Sequence, residues 1–270
     1  MTHAWRKNVV WVASYPKSGN TWVRSILYCA MQGKVDLNRI GELIPSFPAC
    51  VERVAQDNRI AEIDDAAKLW DQAQQWISSL PGNRVIKTHN LCGPVSGTRF
   101  PLSQCTLAAI YVVRDPRDVA ISYTNHFGRT LEQAVSLLQM EDNFTFMEAN
   151  TFRKSVIGSW RTHVESWMGA AFPVLVVRYE DLLMSPVDEI SRILDFLGMK
   201  PVISPERIAD VTSFSSLSRS EAEEGFDEAS ENAVKFFHKG RVGQWLGREQ
   251  EVQDLNLAFG PLMKTLGYEF

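Results

Sequence analysis

The chain has 270 residues, of which 45% are apolar and 22% charged, and a formal net charge of −4. Those proportions suit a globular protein with a sizeable core and exclude a disordered, collagen-like or disulfide-scaffold chain. The acidic balance speaks against a nucleic-acid or membrane-surface partner, while leaving room for a local basic pocket that takes a small anion.

Residues 9–14 form a short apolar run that reads as a buried strand. It is too short for a signal-peptide core and ends in Ser14-Tyr15-Pro16-Lys17, not in a small-residue cleavage site. Val23, Ile26, Leu27 and Ala30 then repeat at helical spacing. Residues 36–66 read as loop-rich and mixed. Leu69, Ala73, Trp76, Ile77 and Leu80 predict a helix over 69–80, and Val85-Ile86 a second short strand. Leu107 to Val113, the most apolar stretch, predicts a third strand. A helix starts beyond it, with Asp115 as N-cap and Pro116 in the first turn. Val156, Trp160, Val164 and Trp167 predict a helix over 155–168, and Val174 to Val177 a fourth strand. A helix opens at Ser185-Pro186 and ends at Gly198. A last amphipathic helix runs from Val252 to Leu266, closed by Gly267.

Strands alternating with helices predict an α/β fold: a central parallel sheet flanked by helices on both faces. With no repeat and no linker, residues 1–270 read as one domain. No window holds the 18 apolar residues of a membrane span. The four cysteines (Cys29, Cys50, Cys92, Cys105) form no CxxC pair and read as the reduced thiols of a cytoplasmic protein. The five histidines are dispersed, so no metal cluster is visible. Residues 219–231 hold Glu221, Glu223, Glu224, Asp227, Glu228 and Glu231. Such a run is ordinarily a solvated face or mobile loop, and its place before the last motif makes it a candidate lid.

The strongest local feature is Tyr15-Pro16-Lys17-Ser18-Gly19-Asn20-Thr21-Trp22, between the first strand and the first helix. A helix N-terminus offers unpaired N–H groups and a positive dipole end to an anion. Gly19 permits close backbone approach. Lys17 adds a charge, and Ser18, Asn20 and Thr21 add short polar groups. The loop is not a Walker A, because the lysine precedes the glycine. An ordinary capped strand–helix turn is the alternative reading of the loop by itself.

Joined by three further segments in order, the octet resembles the donor loop of the sulfotransferases that use 3′-phosphoadenosine-5′-phosphosulfate (PAPS). The resemblance runs in patches from about residue 9 to about residue 245 and is closest to the cytosolic small-molecule branch. It implies a P-loop-like nucleotide-binding architecture. By resemblance, Lys17 to Thr21 grip the 5′-phosphosulfate and Trp22 lies near the adenine. Tyr111 to Tyr123 is similar to the family's 3′-phosphate segment, with Arg114 at a strand end and Ser122 about two helical turns on. An Arg fork plus a hydroxyl makes a sound phosphate clamp. Asp118 and Arg117 read as helix-surface charges near a capped end. Val85-Ile86-Lys87-Thr88-His89 resembles the catalytic segment, which implies His89 as general base and Lys87 as its electrostatic partner. Tyr179 matches a nucleotide-contacting tyrosine, and Thr212-Ser213-Phe214 an adenine-holding segment. Phe237 to Trp245 resembles the closing Arg-Lys-Gly loop. There His238 replaces the family arginine, while Lys239 and Gly240 remain, and Arg241 offers a substitute cation.

The resemblance implies sulfuryl transfer from PAPS to a hydroxyl or amine of a small-molecule acceptor, leaving 3′,5′-diphosphoadenosine (PAP), with no metal. Two rivals are a nucleotide kinase and a catalytically idle sensor of PAP. The missing Gly-Lys-[Ser/Thr] end and the absence of a Mg²⁺-holding carboxylate pair count against the first. The retained His89 and Lys87 count against the second. The family's dimer signature is not recognisable in residues 246–258, which leaves monomer and homodimer open. The expected acceptor walls are residues 36–66, 90–103, 125–150 and 219–237; Phe47, Phe100, Phe127, Phe144, Phe146 and Phe226 lie in them and read equally as lining or as core or staple residues.

Overall fold

The computed structural model describes residues 6–55, 63–95, 97–143, 155–228, 236–237 and 240–269, of which 63–66 are described by backbone alone. Chain order runs β1 (Val9–Ser14), α1 (Asn20–Gln32), α2 (Ile40–Leu43), α3 (Phe47–Ala55), α4 (Ile63–Ser79), β2 (Arg84–Thr88), β3 (Gly93–Val95), β4 (Thr98–Phe100) and β5 (Thr106–Val113). It continues α5 (Pro116–Phe127), α6 (Leu131–Gln139), α7 (Trp160–Met168), β6 (Val174–Arg178), α8 (Tyr179–Met184) and α9 (Pro186–Leu197). The last helices are α10 (Pro205–Val211), α11 (Phe214–Glu224) and α12 (Glu249–Thr265).

Four strands form a parallel sheet in the order β2-β1-β5-β6. Because side chains alternate along a strand, the continuous apolar runs feed two cores. Val9, Trp11 and Ala13 of β1, with Ala109, Tyr111 and Val113 of β5, pack with Trp70, Trp160 and Trp167 on one face. Val10, Val12, Ile110 and Val112 pack with Ile26, Leu27, Leu182 and Ile193 on the other. The α/β prediction holds, with helices on both faces. Parallel strands bring their carboxyl ends to one edge, so Ser14, Thr88, Val113 and Arg178 lead into the same region.

The local signals were mostly sound. Asp115 caps α5, its side chain accepting from the Arg117 amide, and Gly198 ends α9 in the left-handed conformation. Several expectations need correction. The stretch 36–66 carries α2, α3 and the start of α4. The helix read over 155–168 begins only at Trp160, because Gly158 takes a positive φ and Ser159 caps the first turn. Residues 93–100 form an antiparallel hairpin, β3–β4. Of the two readings open for Phe47 and Phe100, the core reading holds: both are fully buried, their rings 5.4 and 4.9 Å from that of Trp11. Phe144 and Phe146 lie outside the described residues. All four cysteines are free, and burial pushes the thiols of Cys50 and Cys105 up to about 12. No helix among the described residues is long and apolar enough to cross a membrane.

Candidate active site

The loop between β1 and α1 turns through two left-handed residues, Lys17 (φ 67°) and Gly19 (φ 106°). Lys17 is the sole non-glycine with positive φ among the described residues. Such turns gather backbone N–H groups into anion-binding concavities, and an outlier of this kind is commonly kept for function. Gly19 has no substitute here: a Cβ would stand 2.7 Å from the Tyr179 ring. Ser18 is buried and its Oγ has no hydrogen-bond partner among the described residues. The same holds for Trp22 Nε1 and Arg114 Nε. These three buried polar atoms without partners are compatible with a polar ligand at the loop. Thr21 is buried at the start of α1. Asn20 faces inward instead, donating from Nδ2 to Val12 O (3.0 Å) and Ser14 Oγ (3.2 Å), so its amide braces the end of β1.

Arg114, just past β5, lies over the Tyr179 ring at 4.3 Å and donates to Lys17 O and Arg241 O. Tyr179 in turn meets Trp22 edge-on at 5.5 Å. Ser122 sits half-buried on α5 and makes no side-chain hydrogen bond to the described residues. Thr212 is buried, its hydroxyl donating to Ile208 O. Phe214 opens α11 and packs against Phe237, ring centroids 6.0 Å apart. Gly240 touches the same ring so closely that a Cβ would fall 2.2 Å from it. His238 and Lys239, two predicted nucleotide contacts, lie outside the described residues.

At the carboxyl end of β2, Lys87 and His89 are both buried. His89 Nδ1 lies 2.8 Å from Ser14 O and 3.3 Å from Ser14 Oγ. A carbonyl can only accept, so Nδ1 carries the hydrogen and Nε2 is the basic nitrogen. Beneath it, His163 Nε2 donates to His89 O at 3.1 Å, and Tyr111 donates its hydroxyl hydrogen to His163 Nδ1 at 2.8 Å. Burial holds His163 neutral, its pKa lowered to about 3. His163 therefore fixes the backbone that carries His89.

The cations share one field. Lys17 is pulled down to about 7, first by loss of water and then by Arg114 and Lys87. The Phe236 ring lies 4.2 Å from Nζ and favours the ammonium.

Two expectations about charge fail. Arg117 and Asp118 are not surface residues; they are 1% and 0% exposed. Asp118 accepts from the Gly243 and Gln244 amides at 2.9 and 2.7 Å and lies 3.8 Å from Arg114, so it ties the 240–245 turn to α5. Burial raises its pKa despite Arg114. Arg117 pairs with Asp115, lies over Trp245 at 3.8 Å and donates to Glu269 O. The acidic run is not wholly a solvated face either. Glu221 accepts from the Phe236 and Phe237 amides. Glu228 accepts from Arg24 at 2.8 Å and from Lys87 at 3.4 Å. Glu231 lies outside the described residues.

The family model for the sulfotransferase domain matches residues 7–259. The chain belongs to the sulfotransferase family. Mouse sulfotransferase 1A1 is 28% identical over 251 residues, covering 90% of this sulfotransferase and 79% of that protein. Human sulfotransferase 1C2 is 28% identical over 245 residues, covering 87% and 75%. Among solved structures, mouse sulfotransferase SULT7A1 complexed with PAP superposes with a TM-score of 0.60 at 22% identity, covering 96% of this chain and 85% of that one. Retinol dehydratase complexed with androsterone and PAP gives 0.64 at 18%, covering 96% and 81%. These likenesses establish the shared fold, and family membership favours neither a nucleotide kinase nor an idle sensor.

Proposed function

We propose that this sulfotransferase moves a sulfuryl group from PAPS to a hydroxyl or amine of a small-molecule acceptor, with His89 as the base. The observation that carries the reading is the fixed tautomer of His89, whose Nδ1–H is held by Ser14 O. With Nδ1 as the donor, Nε2 is the ring nitrogen with the basicity to take the acceptor's proton as its oxygen or nitrogen attacks. The orphaned Ser18 Oγ, Trp22 Nε1 and Arg114 Nε suit a polyanionic nucleotide. Lys17, Ser18, Gly19 and Thr21 are the residues to hold its 5′ end, and Arg114 and Ser122 its 3′-phosphate. Trp22, Tyr179, Thr212 and Phe214 are the residues to flank the adenine, and the resemblance alone assigns His238, Lys239 and Gly240 to the nucleotide. Asn20 contributes by bracing the loop. When bound, PAPS supplies the activated sulfuryl group. Lys17 offsets the negative charge that develops at the loop, and Lys87 that on the group in transfer.

We read residues 1–270 as one catalytic domain working in the cytoplasm; the four separate free thiols support that compartment. The similar PAP-bound structures and the family together support the donor. A radiolabelled PAPS assay across phenols, alicyclic alcohols and aryl amines tests the reading. At least one acceptor should gain label. His89→Asn keeps a donor for Ser14 O but has no basic nitrogen; it should lose at least about 100-fold in kcat while binding PAP normally. Near-normal turnover in that variant would overturn the base assignment.

A further inference from the structure

Arg24 stands one turn into α1, where its guanidinium is 1% exposed, and Lys87 stands at the end of β2, where its ammonium is 5% exposed. Two buried cations side by side are unfavourable without an anion between them. The anion present comes from far along the chain. Glu228 accepts from Arg24 Nη1 through both oxygens, at 2.8 and 3.0 Å, and from Lys87 Nζ at 3.4 Å. Arg24 Nη2 donates to Ile44 O, and its Nε is buried with no partner among the described residues.

We propose that Arg24 and Lys87 form an oxyanion seat beside the base, filled from within by the Glu228 carboxylate, and that the sulfonate end of the donor takes the seat by displacing it. The proposal rests on the donor reading above. Lys87 and His89 are two residues apart along an extended segment, so the seat lies next to the base. A carboxylate and a sulfonate each carry one negative charge and present paired oxygens to an arginine fork. The charge balance also fits, since two cations and one carboxylate leave a net positive site. Burial alone would raise the pKa of Glu228, but Lys87 and Arg24 outweigh it and hold the carboxylate ionised. Glu228 and Lys17 belong to one field: Glu228 and Glu221 favour the Lys17 ammonium, which Arg114 and Lys87 oppose. A third of the Glu228 side chain is exposed, so it can swing away without unpacking the core.

A purely structural ion pair would treat PAPS and PAP alike, because the two differ only in the sulfonate. Calorimetric titration of both nucleotides separates the readings. Glu228→Gln removes the competing charge and should tighten PAPS about tenfold while moving PAP less than about twofold. Glu228→Asp keeps the charge with a shorter reach and should shift PAPS in the same direction by less. Arg24→Gln in the Glu228→Gln background should cancel the gain. Equal shifts for both nucleotides, or no shift for either, would overturn the seat. Failure of the unaltered protein to bind PAP or PAPS would instead overturn the donor reading, and the seat with it.

Discussion

Lys17 gives the sharpest handle on the donor site. Burial and the neighbouring Arg114 and Lys87 lower its pKa from 10.5 to about 7. A bound phosphate favours the ammonium, so nucleotide binding above that pH takes up a proton. With a pKa of about 7, the charged fraction is about 0.24 at pH 7.5 and about 0.01 at pH 9. PAP affinity should therefore fall about 20-fold across that window, or about 1.8 kcal/mol. Phosphate monoesters have a second pKa of about 6 and are fully ionised throughout, so the nucleotide adds no slope. Calorimetry at four pH values between 7.5 and 9, in two buffers of different ionisation enthalpy, reads both the affinity and the proton taken up. Lys17→Met should bind weakly with a flat profile. A flat profile in the unaltered protein, as for an ordinary lysine, or a slope that survives in Lys17→Met, refutes the reasoning. Folding responds in the opposite sense. Between about pH 7 and 10.5 the unfolded chain holds the extra proton, so stability rises with pH through that window.

Arg114→Ala should weaken PAP by at least about tenfold, since it removes charge-assisted bonds and the brace on Lys17 O; unchanged affinity in calorimetry would dissolve the proposed clamp. Gly240→Ala drives a methyl into the Phe214 ring at a positive φ, and should weaken PAP without touching a reacting group; equal affinity would remove Phe214 from the adenine site. Asp118→Asn leaves one of the Gly243 and Gln244 amides without its acceptor, at a cost of about 1–3 kcal/mol in urea unfolding. Ser14→Ala should hold kcat within about threefold, because the carbonyl and not the hydroxyl holds His89; a large loss would assign that role to the hydroxyl.

Much of this was legible in the residues. Buried parallel strands carry no polar alternation, so 9–14 and 107–113 stood out as unbroken apolar runs. The Lys17–Trp22 loop stood out as a candidate anion site because such a site needs glycine, cation and small polar groups close together in sequence. Short elements were not: α2, with four residues, and the three-residue strands β3 and β4 hold too few positions to show a period. Nor were pairings across the fold. Glu228 meets Arg24 from 204 residues away, and nothing in a run of acids marks which member turns inward. Asp118 looked like an ordinary first-turn acid because the amides it receives come from 125 residues later. Ser14 and His163 act on His89 through backbone carbonyls, which leave no trace in side-chain pattern.

The left-handed Lys17 carries a wider consequence. Its backbone conformation and its partly desolvated charge beside Arg114 and Lys87 each cost folding free energy, and glycine at the same position would incur neither. A residue proposed to hold the donor is thus one the fold would be more heat-tolerant without. Directed evolution of this enzyme for melting temperature alone will enrich chains that have discarded Lys17, so each round needs an activity gate to keep the loop.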